Sequence, residues 1–121
     1  MGQNDPMITV YGIPNCSTVK NARAWLTEHG VAHTFHDFKK AGVPADALPH
    51  WVAQVGWQRL INRAGPTWRK LDPSTQAAMT DPEQAAALLQ THASVIKRPL
   101  VQWANGDVTV GFAPEDWAQR V

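Results

Sequence analysis

Cysteine is almost absent from this chain: Cys16 is the only one among 121 residues. A single thiol closes no internal disulfide and forms no CxxC pair, and such scarcity is what a reducing, cytoplasmic compartment leaves. An excess of charge of one sign is lacking too. Lys and Arg number 11 against 10 Asp and Glu, a formal net charge of +1, so no overall field recruits nucleic acid or an anionic membrane, and any anion site must be local. No apolar run approaches the roughly 20 residues a membrane-spanning helix needs. The chain does not open on a charged stretch followed by an apolar one, as a secretory leader would. Residues 1–6 read as a polar leader, and the length suits one domain, residues 1–121, with a core of its own.

What is present begins with six tryptophans, whose expected work is core packing and surface anchoring. More informative is the run Tyr11-Gly12-Ile13-Pro14-Asn15-Cys16-Ser17-Thr18-Val19-Lys20. Upstream, residues 7–11 are β-branched and aromatic enough for a strand, which Gly12 and Pro14 end. Downstream, Ala22, Trp25, Leu26 and His29 recur at helical spacing, predicting an amphipathic helix from near Cys16 to Gly30. Cys16 therefore falls at a helix start, where unpaired N–H groups and the helix dipole favour anions and thiol pKa values drop to about 3.5–7.5. A free cysteine is by default a small buried hydrophobe. Here polar neighbours, with Lys20 and Arg23 on the first helical turns, make Cys16 a candidate nucleophile. With no second thiol in the chain, a covalent adduct on Cys16 must be resolved from outside. Glutathione is the abundant cytosolic candidate, with glutaredoxin or thioredoxin behind it.

Residues 31–38 alternate as a second strand, which a strand–helix–strand opening pairs in parallel through a right-handed crossover. His33 and His36 lie three apart on that strand and face opposite sides, so no metal site is read there. Residues 39–42 read as a basic turn. Pro44 then opens a helix with the stripe Leu48, Trp51, Val52 and Val55, stopped at Gly56. Residues 57–71 set Arg59, Arg63, Arg69 and Lys70 among aromatics; the charge balance argues against nucleic acid, and Arg63 alone sits at a helix exit from which it can reach inward. Residues 72–91 read as two helical pieces, started by Asp72-Pro73 and by Thr80 or Asp81-Pro82, with Ala86, Leu88 and Leu89 inward. Residues 43–92 thus form a helical insert.

Arg98-Pro99 heads an apolar strand at residues 100–103, Asn105-Gly106 predicts a two-residue hairpin turn, residues 107–112 return antiparallel, and Pro114 starts a terminal helix through Trp117. A cis peptide at Arg98-Pro99 would turn Arg98 toward the sheet's end and hold it near Cys16.

Together these pieces resemble the arsenate reductase (ArsC) family, a thioredoxin-like branch, and within it the YffB-type subgroup of glutathione-dependent thiol reductases. The likeness spans residues 7–117. It is carried by Tyr11-Gly12-Ile13-Pro14-Asn15-Cys16 with Thr18 and Asn21, by Asn62-Arg63-Ala64-Gly65 with Trp68-Arg69-Lys70-Leu71, by Ile96-Lys97-Arg98-Pro99, and by Val110-Gly111-Phe112 before Pro114-Glu115. The resemblance implies an α/β thioredoxin-like fold: a mixed four-stranded sheet, helices on both faces, and a helical insertion between the second and third strands. It also implies Cys16 as nucleophile assisted by Arg98, with Asn15, Thr18, Arg63 and Pro99 at the substrate or glutathione site, no bound cofactor, and glutathione as co-substrate.

Arsenate reductases of this family line the oxyanion pocket with three arginines. Arg63 and Arg98 match two, but Gly111-Phe112 stands where the third belongs. Gly12 and Ile13 replace a histidine and an asparagine, and Val19 replaces a serine beside the thiol. At about 1.5–3 kcal/mol per charge-assisted bond, these losses disfavour efficient arsenate reduction. The expected activity is a glutathione-dependent thiol/disulfide or oxyanion reductase acting through Cys16. Its alternatives are an arsenate reductase and an Spx-like adaptor that binds RNA polymerase.

Overall fold

The computed structural model describes residues 7–121, so the leader expected at residues 1–6 lies outside them. The chain forms two compact units, one built from residues up to Asp37 together with Arg98–Val121, the other from Phe38–Lys97. Among the described residues no helix is long and apolar enough to cross a membrane.

In the first unit, β1 (Ile8–Gly12) alternates buried Ile8 and Val10 with half-buried Thr9 and Tyr11, the period of a strand with one face in a core. It leads into α1 (Ser17–Glu28), and β2 (His33–Asp37) then pairs with β1 in parallel. After the insert, β3 (Leu100–Gln102) pairs antiparallel with the other edge of β1, and β4 (Val108–Val110) pairs antiparallel with β3. The four-stranded sheet has the order β2-β1-β3-β4. This is the mixed α/β, thioredoxin-like architecture that the sequence predicts, with its helical insertion between the second and third strands.

One face of the sheet, Ile8, Val10, Val101 and Trp103, packs against Ala22 and Leu26 of α1 and Trp117 of the terminal helix α8 (Pro114–Arg120). Trp117 is fully buried. Its ring meets Trp103 at 5.1 Å, Trp25 at 5.8 Å and Phe112 at 4.9 Å, all edge-on, the arrangement that ring quadrupoles prefer. Arg120 fastens α8 to the β3–β4 hairpin by donating from Nε to Asp116 at 2.7 Å and from Nη1 to Asp107 at 3.0 Å. Its guanidinium also lies 5.4 Å from the Trp103 ring, and the hydrogen bond to Asp116 does most to hold its pKa above the ordinary arginine value.

The second unit is helical: α2 (Phe38–Ala41), α3 (Leu48–Val55), α4 (Trp57–Leu60), α5 (Pro66–Arg69), α6 (Pro73–Ala77) and α7 (Pro82–Thr91), then a 3-10 turn at Ala93–Val95. Leu48, Trp51, Val55, Leu60, Ala85, Leu88 and Leu89 are its buried helical residues besides Phe38. Asp81 caps α7 as its Asp-Pro start predicts, accepting from the Gln84 N–H at 2.9 Å.

Several expectations shift. The basic turn at residues 39–42 is a helical turn that buries Phe38 and ends on left-handed Gly42. Helix α3 starts at Leu48 instead of Pro44, because a turn closed by the Ala47 N–H on the Pro44 carbonyl intervenes. In α7 the inward alanine is Ala85 rather than Ala86. His29 is exposed and stacks on Trp25 at 3.8 Å instead of facing the core. Strands β3 and β4 are shorter than predicted, and their hairpin is wider than a two-residue turn. The Trp103 N–H bonds the Asp107 carbonyl and the Gly106 N–H the Trp103 carbonyl, with Gly106 at φ 94°; only glycine takes that conformation without strain. Helix α8 runs on past Trp117 to Arg120.

The Trp117 Nε1–H has no hydrogen-bond acceptor among the described residues, so this side chain contributes packing alone. Trp117→Ala is expected to cost about 3–5 kcal/mol and Trp117→Phe less than about half of that, since no hydrogen bond is given up. Urea titrations followed by far-ultraviolet circular dichroism compare the two.

Candidate functional site

The sheet register assembles one end of the first unit. Gly12, the last residue of β1, pairs with Asp37, the last of β2, while Tyr11 pairs with Leu100, the first of β3. Continuing that antiparallel register places residues 98–99 alongside residues 12–13. Beyond them, Leu100 pairs with Val110, and the Gly111 N–H donates to the Pro99 carbonyl at 2.9 Å. The loop that leaves β1 toward Cys16 and the segment that enters β3 from Arg98 thus share one end of the sheet.

Cys16 is the N-cap of α1, with φ −93° and ψ 123°. Its N–H reaches the Ile13 carbonyl at 3.4 Å across the Pro14-Asn15 turn, and its own carbonyl accepts the first helical bond, from the Lys20 N–H at 3.0 Å. The amides of Ser17, Thr18 and Val19 therefore point out of the helix start with no intrahelical acceptor. The Cys16 side chain makes no capping hydrogen bond to them, and the first turn of α1 holds no acidic residue. Cys16 is half-buried, neither sealed in the core nor fully solvated. Asn15, Ser17 and Thr18 around it are exposed, and Val19 is 1% exposed.

Arg98 is half-buried, and Pro99 after it is buried. The Arg98-Pro99 peptide bond, open to either isomer in the sequence, is cis. Proline brings no N–H to the ladder, and Pro99 engages Gly111 through its carbonyl instead. Gly111 has φ 87°, after which Phe112 turns into the Trp117 cluster. The position matching the third arginine of arsenate reductases is thus taken by core packing.

Arg63 belongs to the second unit. Its loop is pinned by the Ile61–Ile96 bridge, by the Asn62 N–H on the Val95 carbonyl at 2.7 Å and by the Lys97 N–H on the Leu60 carbonyl at 2.8 Å. A Cβ on Gly65 would come within 2.8 Å of Asn62 Nδ2, so glycine lets the turn close onto the asparagine. Arg63 itself is exposed, its guanidinium 5.4 Å from the Trp68 ring.

Five of the sequence-predicted residues, Asn15, Cys16, Thr18, Arg98 and Pro99, therefore gather at one sheet end, and Arg63 stands in the other unit. Sequence reading missed what Gly12 and Gly111 do there. A glycine closing a strand is the only signal it had. Among the described residues no group of three or more His, Cys, Asp or Glu could hold a metal ion.

The ArsC family model matches residues 11–120. An uncharacterized protein of Haemophilus influenzae is 37% identical over 111 residues, 92% of this chain and 96% of that one. A solved structure described as a YffB protein is 43% identical with a TM-score of 0.88, covering 94% of this chain and 98% of its own. Another, an arsenate reductase (ArsC) related protein from Brucella melitensis, is 41% identical with a TM-score of 0.73, covering 93% and 92%.

Half-buried at a helix start, Cys16 is expected to react with Ellman's reagent in the folded protein, releasing one equivalent of thionitrobenzoate per chain. Release only after denaturant is added would place the sulfur out of reach.

Proposed function

The chain belongs to the ArsC family, and on that premise we propose that it is a thiol-based oxidoreductase in which the Cys16 thiolate is the nucleophile and glutathione the resolving thiol. One observation carries the reading: a half-buried cysteine is the N-cap residue of a helix whose first turn holds no acidic side chain and whose first amides have no intrahelical acceptor. Amides and dipole so arranged favour a thiolate over a thiol.

In the first step the Cys16 thiolate attacks one sulfur of a disulfide. A new S–S bond joins Cys16 to that half, and the other half leaves as a thiolate. In the second, a glutathione thiolate attacks the substrate sulfur of the mixed disulfide, returning Cys16 as thiolate and leaving a glutathione mixed disulfide in solution. A further glutathione, or a glutaredoxin or thioredoxin, reduces that product. Each exchange conserves electrons, with no cofactor.

Arg98 orients the incoming anion and supports the thiolate, a task suited to a guanidinium with several donors in one plane. Asn15, Thr18 and the amides after Cys16 complete the cradle for a carboxylate or sulfur anion. Pro99 shapes the wall. A cytoplasmic setting, rich in glutathione, fits this chemistry. Arsenate is the less suited substrate, because Phe112 in the Trp117 cluster leaves a tetrahedral dianion one cation short.

Incubation with oxidised glutathione followed by intact-mass measurement is expected to add one glutathionyl group at Cys16, faster than to the urea-unfolded chain and not at all in Cys16→Ser. A folded protein labelled no faster than the unfolded one would overturn the reading. Arg98→Ala is expected to slow adduct formation about 10- to 100-fold, the range set by one charge-assisted hydrogen bond of about 1.5–3 kcal/mol. Arsenate is expected to drive little glutathione oxidation. An Spx-like adaptor needs no thiol chemistry and would keep its partner in Cys16→Ser.

A further inference from the structure

We infer that Gly12 and Val19 form a positioning contact that seats the start of α1, and with it Cys16, on the end of β1. The inference rests on reading Cys16 as a thiolate nucleophile. A Cβ placed on Gly12 would lie 2.8 Å from Val19 Cγ2 and 3.4 Å from Cγ1, the first closer than real carbon contacts come. Gly12 is not among the glycines with positive φ, so its backbone conformation does not demand glycine. What demands it is the approach of Val19.

Val19 has little freedom to yield. It is 1% exposed, and its β-branched side chain has one strongly preferred χ1 rotamer in a helix. A side chain at position 12 would be relieved only by moving the first turn of α1 off the strand. That turn contains the N-cap Cys16 and the unengaged amides of Ser17, Thr18 and Val19 itself. Their effect on the sulfur falls off within one helical turn, so small displacements change how strongly the thiolate is favoured. Gly12 is held from its other side by the parallel pairing with Asp37, which gives the contact a fixed strand to seat against. Neither Gly12 nor the side chain of Val19 touches substrate in this scheme; their contact acts through Cys16.

The test is a four-protein cycle of wild type, Gly12→Ala, Val19→Ala and Gly12→Ala/Val19→Ala. The readouts are iodoacetamide alkylation of Cys16 against pH and thermal melting. Gly12→Ala is expected to raise the inflection of the alkylation profile by about half a pH unit or more, a loss of about 3-fold in thiolate at pH below it. Val19→Ala, which empties the contact, is expected to raise it as well. The double variant, in which the new methyl refills the space, is expected to return to within about 0.2 pH units of wild type.

An unchanged profile in both single variants, even with lowered melting temperatures, would overturn the inference and leave the pair as core packing. So would a double variant shifted as far as the sum of the singles. If Gly12→Ala does not fold, the leg from Val19→Ala to the double variant still decides, because restoration there needs no clashing protein. A wild-type inflection near the ordinary cysteine value of about 8.5 would overturn the thiolate reading itself, an outcome separable from a depressed wild-type inflection that the variants fail to move.

Discussion

The first unit depends on the central place of β1, paired in parallel on one edge and antiparallel on the other. A parallel neighbour ends where β1 ends, whereas an antiparallel neighbour begins there. Both edges therefore deliver chain to the end at which β1 releases the loop to Cys16. An apolar face alone would not do this, since burial is indifferent to strand direction. Direction comes from the connections: a short helical crossover sets β2 parallel, and the hairpin between β3 and β4 turns on Gly106.

Burial supplies the stability that lets this end remain open. Trp103 and Trp117, with Trp25 against them, fill the space between the sheet and helices α1 and α8, and each fully buried large side chain contributes on the order of 1.5–3 kcal/mol or more. The second unit has a separate core, where Trp51 meets Phe38 edge-on at 6.3 Å. All six tryptophans are buried or half-buried. The polar groups that must stay solvated, Asn15, Ser17 and Thr18, project from a scaffold fixed by apolar contacts beneath them.

The surroundings of the sulfur are correspondingly spare. Val19 and Gly12 offer no side-chain donor, and Gly111-Phe112 spends its position on the Trp117 cluster. Backbone amides of the helix start and the guanidinium of Arg98 are the groups the proposed anion cradle draws on in this unit. On the proposed reading, a soft, singly charged sulfur suits these groups better than a hard dianion, whose hydration a few donors replace poorly.

Much was legible from residue order. The strand–helix–strand opening, the place of Cys16 at a helix start, the Asp81-Pro82 cap and the Arg98-Pro99 strand head follow from periodicity, proline and glycine, all local properties of the chain. Element ends were less legible. Pro44 signals a start as well as Pro49 does, and only packing chose Leu48 as the first helical residue. The inward turn of Ala85 in place of Ala86 and the exposure of His29 likewise depend on which neighbours each helix meets. By itself the sequence determined the fold class and marked Cys16 as the candidate nucleophile, because both rest on short-range patterns. Tertiary structure alone decided that Gly12 must be bare, since the reason is a methyl group of Val19 brought against it by helix packing; it also decided that Phe112 serves the core, since that follows from the placement of Trp117.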